Sequence, residues 1–235
     1  MENISLSIFE HFIELRRRIF YSTLNVIFLS IISYFFYDNI VNLLLKDFSQ
    51  KLYTYNLTEG FVTKIKISFL SGIFLSIPML IFQISLFIMP ALKSNEKRIY
   101  FLLLLAGFFL FICGSFFSYK KILPLSITFL NQAEFFPKNV SPWLNYSGLL
   151  KFITQFLIGF GVAFQLPIVL IFIVNLKILS KQKLLNSFRY VIVICFIVAA
   201  VLTPPDWISQ VMLAIPLIIL YFSSILICYI FKIGN

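Results

Sequence analysis

The sequence predicts an all-α membrane protein: six transmembrane helices, N-in and C-in, with an N-terminal amphipathic surface helix. Three observations carry that prediction. Of 235 residues, 60% are hydrophobic and only 12% charged. The mean hydropathy is +0.98. The apolar residues fall into six runs separated by charged or proline-containing connections. Such a composition excludes a soluble globular domain and a disordered chain. A bundle of helices in lipid remains, because every backbone polar group must find its partner inside the helix.

The whole of 1–235 reads as one membrane domain. It opens on residues 9–18, F-E-H-F-I-E-L-R-R-R, predicted to lie as a short amphipathic helix on the membrane surface. Glu10 and Glu14 are four apart and share a face, with His11 and Arg18 beside them. Two readings of this segment stay open. Arg16, Arg17 and Arg18 can simply orient the chain while Glu14 pairs with Arg18. Alternatively, one of the acids is left to receive a cationic ligand.

The spans follow in order at 19–37, 67–89, 99–118, 149–176, 190–203 and 211–231. The connection after the first has apolar patches at 41–45 and 61–62, read as short surface helices. Pro78 is expected to kink the second span, and Pro90 to end it. Lys120 and Lys121 are expected to close the third, before a long connection over 122–146 with Pro124, Pro137, Pro142 and Trp143. The fourth is long enough to tilt, and its Gly159 and Gly161 permit close helix approach. The fifth, with only about 14 residues before Pro204, Pro205 and Asp206, is short for a bilayer. The sixth carries Pro216.

Charge orients the bundle. With six spans, eleven Lys/Arg fall on the N-terminal side, mostly in short loops, and eight on the other side in longer ones. That asymmetry predicts N-in and C-in. The net charge of +10 makes no continuous basic face, so topology explains it better than nucleic-acid binding.

Several chemistries are excluded. None of the nine acids lies within a predicted span, against the habit of ion-coupled transporters to keep an ionisable group at mid-membrane. The single histidine excludes most sites built on His pairs, and no nucleophile-elbow, zincin, P-loop or dinucleotide pattern is present. Cys113, Cys195 and Cys228 sit singly in apolar runs, as packing residues. The chain reads as a non-enzyme with no cofactor or metal. The alternative class is a solute or ion transporter or a respiratory membrane subunit.

Six stretches resemble one known family. E-H-F-I-E-L-R-R-R before the first span resembles the H-x-x-E-L-R signature of TatC, the polytopic receptor subunit of the twin-arginine protein translocase. In order, F-I-M-P-A-L from Phe87, N-E-K-R from Asn95, F-G-V-A-F-Q-L-P from Phe160, L-T-P-P-D-W-I-S-Q from Leu202 and L-A-I-P from Leu213 also match. The resemblance covers about residues 9–231. It implies binding of folded cargo proteins through twin-arginine signal peptides, recruitment of small single-span TatA/TatB-like subunits, and a homo-oligomer within a hetero-complex.

The same resemblance assigns residues. Glu14 and Glu96 match the acidic signal-binding positions, and Arg16 the motif arginine. His11, beside Glu14, would orient an acid or sit passively at the interface. Phe87 and Pro90 match an F-x-x-P that would shape the mouth of the site. Gln165 stands where many relatives carry a glutamate that meets the partner helix; a glutamine can hydrogen-bond there but cannot hold charge. Phe222 likewise stands where some relatives have an acid. Pro204, Pro205, Asp206 and Gln210 match structural positions on the outer side, Asp206 as an expected N-cap.

Thirty Phe, with abundant Ile, Asn, Lys and Tyr, look like AT-rich coding bias. Together with the short chain and no evident leader, this favours an organelle-encoded protein of the mitochondrial inner membrane. A plastid thylakoid or bacterial plasma membrane is the alternative.

Overall fold

The computed structural model describes residues 8–48, 52–130, 144–202 and 207–233, which form ten α-helices. Among these residues the extended backbone is limited to one bridge, Tyr53 to Asn145. Five helical stretches are long and apolar enough to cross a membrane, and a sixth is shorter.

α1 (Ile8–Phe35) runs without interruption through the arginine cluster. The separate surface helix expected at 9–18 is therefore its first turns. Neither Gly nor Pro occurs between Ile8 and Phe35, so nothing ends the helix where polarity changes. Its 28 residues span about 42 Å, against a hydrocarbon core of about 30 Å, so its charged turns extend past the apolar layer. α1 packs mainly on α3 (Glu59–Ile88), through small residues. A Cβ on Gly72 would lie 2.1 Å from Ser30 Oγ and 2.5 Å from Ser30 Cα. Only the absence of that side chain lets the two backbones approach so closely. Most of α1's large apolar side chains face outward.

Two further expectations change. The patch at 41–45 does form its own helix, α2 (Tyr37–Leu45), buried through Tyr37, Val41 and Leu44. The patch at 61–62, however, belongs to the first turns of α3, which passes Pro78 as one uninterrupted helix. α4 (Ser94–Phe117) does not stop at the lysines either. It widens into a π-turn at Ser118–Ile122 and continues as α5 (Leu123–Leu130). Ile122 and Leu123 are buried, so packing carries the helix past Lys120 and Lys121, whose side chains stay exposed.

The fourth run is broken. α6 (Tyr146–Ala163) ends in a turn at Phe164 and Gln165, and α7 (Leu166–Asn175) restarts behind Pro167. Pro167 cannot donate to the carbonyl four residues back, and Gln165 N–H closes on Val162 O at 2.9 Å. α8 (Lys181–Asn186) is a short turn before α9 (Phe188–Leu202), whose 15 residues reach about 22 Å and fall short of the hydrocarbon thickness. α10 (Trp207–Ile230) starts four residues earlier than expected. Pro137, Pro142, Trp143, Pro204, Pro205 and Asp206 lie outside the described residues.

The core centres on α6. Leu150, Ile153, Phe156 and Phe160 are almost inaccessible, as are Ala199 of α9 and Leu213 and Ala214 of α10. α4 crosses α6 at Gly114 and Gly161; a Cβ on Gly161 would strike Phe111 at 2.4 Å. At one end of the bundle the start of α1 meets the end of α3. At the other end, Tyr37 Oη shares a 2.7 Å hydrogen bond with Tyr146 Oη. There too, Asn145 Nδ2 donates to Glu59 at 2.6 Å, and Lys120 pairs with Asp47 at 2.7 Å.

Candidate functional site

A groove of about 590 Å³ opens where the first turns of α1 lie against the last turns of α3. Its polar lining is Glu10, Glu14, Arg17, Arg18, Tyr21 and Gln83. Helical spacing presents Glu10, Glu14, Arg17 and Arg18 on one side of α1, and Gln83 is the buried polar residue facing them from α3.

Glu14 is already engaged. Arg18 Nε donates to its Oε1 at 3.0 Å, and Nη2 donates to the same oxygen. Arg18 Nη1 reaches across to Gln83 Oε1 at 3.4 Å. Both members of the Glu14–Arg18 pair remain about a fifth exposed, so the site is open to the outside of the bundle. Arg17 turns the other way, over the Tyr21 ring at 5.6 Å. Arg16 is exposed on the far side of the helix. A second cavity, sharing Tyr21 and Gln83, continues the groove down the α1–α3 seam past Asn25, Phe28, Ile31 and Met79.

His11 sits against Phe87, ring centroids 5.4 Å apart, which ties the start of α1 to the end of α3. Its buried Nδ1 has no hydrogen-bond partner among the described residues. Pro90 is exposed in the 3₁₀ turn Met89–Ala91 that links α3 to α4. Glu96 lies in the first turn of α4, where its Oε2 accepts the Lys93 N–H at 2.9 Å and its own N–H donates to the Lys93 backbone O at 2.9 Å. The structure thus brings Glu14, His11 and Phe87 to one junction and sets Glu96 a turn beyond it, capping its own helix. No hydrogen bond or ion pair joins Glu96 to Glu14 among the described residues.

Gln83 was missed by the sequence reading. Its signal was a lone amide in an apolar run four residues before Phe87.

Gln165 belongs to a different place, the α6–α7 break. Its Nε2 donates to Gly107 O of α4 at 3.0 Å and points into a smaller apolar cavity of about 290 Å³ lined also by Ser85, Tyr100, Ile168 and Phe172. Gln210 Nε2 donates to Phe196 O at 3.0 Å and ties α10 to α9, a structural role. Phe222 packs on Phe188 at the start of α9, ring centroids 6.5 Å apart. Cys195 and Cys228 are buried and Cys113 is exposed, all three as free thiols.

The family model "Sec-independent protein translocase protein (TatC)" matches residues 10–216. The chain belongs to the TatC family. It is 36% identical to the Sec-independent protein translocase protein TatC of Carboxydothermus hydrogenoformans, over 99% of this chain and 96% of that one. To the TatC of Rickettsia prowazekii it is 38% identical, over 93% of this chain and 91% of that one. A crystal structure of a twin-arginine translocase receptor, TatC, superimposes with a TM-score of 0.84 at 34% identity, covering 94% of this chain and 99% of its own. As a TatC protein the chain is a multi-pass membrane component of a Sec-independent translocase and not an enzyme. The relatives named here are bacterial.

Proposed function

We propose that this chain is the receptor subunit of a twin-arginine translocase. It binds twin-arginine signal peptides of folded cargo proteins at the end of the bundle where α1 begins. It also recruits small single-span TatA/TatB-like subunits, in an assembly of several copies, for transport driven by the proton-motive force. The observation that supports this reading most is the groove at Glu14, open to the outside of the bundle and continuous with an apolar seam between α1 and α3.

The chemistry is that of the guanidinium fork. A carboxylate at the edge of the hydrocarbon accepts paired N–H donors strongly, because water is partly excluded there. Arg18 occupies only Oε1 of Glu14. An incoming arginine can therefore take Oε2 or displace Arg18. Glu96, held by its cap in the first turn of α4, is proposed to receive the second arginine. Phe87 and Pro90 shape the mouth, Arg16 and His11 border it, and the apolar part of the signal would follow the seam past Phe28 and Ile31.

Gln165 is proposed to meet the partner helix by hydrogen bonding from the α6–α7 break, without a charge. The lysine and arginine distribution puts both termini on the inner side. The compositional bias favours a mitochondrial inner membrane, and bacterial relatives fit a bacterial plasma membrane equally well. The test is binding of a synthetic twin-arginine signal peptide to the reconstituted protein, against the same peptide with both arginines changed to lysine. The reading requires a loss of binding; equal binding would contradict it.

A further inference from the structure

A cavity of about 600 Å³ opens at the other end of the bundle, beneath α2 and between α3 and α4. Its apolar wall is Phe74, Leu75 and Pro78 of α3 with Phe111, Ile112 and Phe116 of α4. Its mouth carries Lys46, Asp47, Tyr119 and Lys120. None of these residues takes part in the groove at Glu14 or the contact at Gln165.

Three features identify the occupant. The first is depth. From Ile112 to Lys120 the cavity follows about 12 Å of helix at 1.5 Å per residue. That matches one leaflet of a hydrocarbon core about 30 Å thick and is too shallow for a spanning helix. The second is charge. Two lysines face one carboxylate, and Lys120 already holds Asp47 at 2.7 Å, so the mouth keeps a net positive charge from Lys46. The third is the placing of polar and apolar groups. Ile112 and Phe116 are 66% and 64% exposed, an apolar wall with no protein against it. At the mouth, Tyr119 Oη donates to Leu43 O at 2.9 Å and fixes α2 as its roof. The π-turn at Ser118–Ile122 aims Tyr119 and Lys120 toward α2 and the loop that follows it.

We propose that this cavity is a binding site for one anionic phospholipid. An acyl chain lies along Phe74, Leu75, Pro78, Ile112 and Phe116, and the phosphate sits at Lys46 and Lys120. Chain burial supplies an apolar contact for either lipid charge; the lysines select the anionic headgroup. The lipid joins α2 to the α3–α4 pair where protein side chains leave a gap.

The test uses the full chain in phosphatidylcholine nanodiscs doped with a phosphatidylglycerol carrying a photoreactive group midway along one acyl chain. A phosphatidylcholine probe with the same chain serves as the parallel arm. The expected result is labelling of Leu75, Ile112 and Phe116 by the anionic probe at about five times the yield of the zwitterionic one, the size of one lysine's attraction for an anionic surface. Lys46→Gln should bring the anionic probe down to the zwitterionic level, and Lys46→Arg should keep it high. Lys46→Gln leaves the Lys120–Asp47 pair in place, so loss of fold is not at issue. Equal labelling by the two probes, or anionic labelling just as strong at the exposed Ile197 of α9 and Ile219 of α10, would show boundary lipid only and overturn the proposal. Displacement of the probe by a co-reconstituted single-span subunit would overturn it too.

Discussion

Arg18 of α1 donates to Gln83 of α3 at 3.4 Å while the same guanidinium holds Glu14. One arginine therefore links the two helices that form the groove and occupies the acid proposed to read an incoming arginine. The site is closed by a group of the same chemistry as its proposed ligand. Binding becomes an exchange between guanidinium groups, in which the half-buried carboxylate is never left bare.

That exchange predicts opposite effects for the two partners. Glu14→Ala should weaken binding of a twin-arginine peptide by about ten-fold or more, the size of a charge-assisted hydrogen bond. Arg18→Ala should leave binding intact or strengthen it several-fold, because Glu14 loses its internal competitor. Titration of the labelled peptide into nanodiscs separates the two. A loss of equal size in both variants would mean that the pair is structural.

Gly72 should tolerate no side chain. An added Cβ at 2.5 Å from the Ser30 backbone forces α1 away from α3, since a helix backbone cannot yield as a flexible side chain does. Gly72→Ala is expected to cost about 1–3 kcal/mol, the usual penalty of overpacking. It should lower the thermal unfolding midpoint in detergent. The same substitution at Gly60, which has open space around it, should leave the midpoint unchanged apart from helix propensity.

Gln165 should matter for the bundle before any partner arrives. Gln165→Leu removes the donor to Gly107 O and is expected to cost about 0.6–1.7 kcal/mol, the range for interhelical hydrogen bonds in lipid. Gln165→Asn, one methylene shorter, should not restore the contact across 3.0 Å. Thermal unfolding without partner subunits measures this cost alone; co-purification of a single-span subunit then measures the partner's share.

Asp47 gives a pH-dependent clasp. The hydrogen bond from Lys120, first among its surroundings, holds the Asp47 carboxyl below its ordinary value of 3.8. A carboxylate whose pKa is lower folded than unfolded contributes stability above the unfolded value, and that contribution disappears as pH falls through the folded one. Wild type should therefore unfold at a slightly higher temperature than Asp47→Asn near neutral pH. The two should converge as the pH drops below 3.8. The gap should also shrink with salt, as expected of an exposed pair.

The sequence was most legible where chemistry and hydropathy changed together. The E-L-R and T-P-P-D stretches named the family, and the apolar runs located most of the helices. Hydropathy failed at helix ends, because a helix does not stop where it leaves the hydrocarbon. Residues Ile8–Arg18 continue α1 and Glu59–Lys66 begin α3, since no Gly or Pro breaks the first and Gly60 alone does not end the second. Lys120 and Lys121 misled for the same reason, as buried Ile122 and Leu123 carry the helix on. The break at Gln165 was written in Pro167 but hidden by unbroken hydrophobicity around it. The Glu14–Arg18 pair was legible from spacing alone. The part of Gln83 was not, because it depends on how α1 packs against α3.

The most direct test of the central claim is site-specific photocrosslinking of a twin-arginine signal peptide to the protein in its membrane. A probe is placed beside the arginine pair, and wild type is compared with Glu14→Gln and Glu96→Gln. The account predicts crosslinks to the first turns of α1 and the α3–α4 turn. They should require both peptide arginines and fall sharply in each variant. Crosslinks that persist unchanged in both variants, or that ignore the arginines, would contradict it.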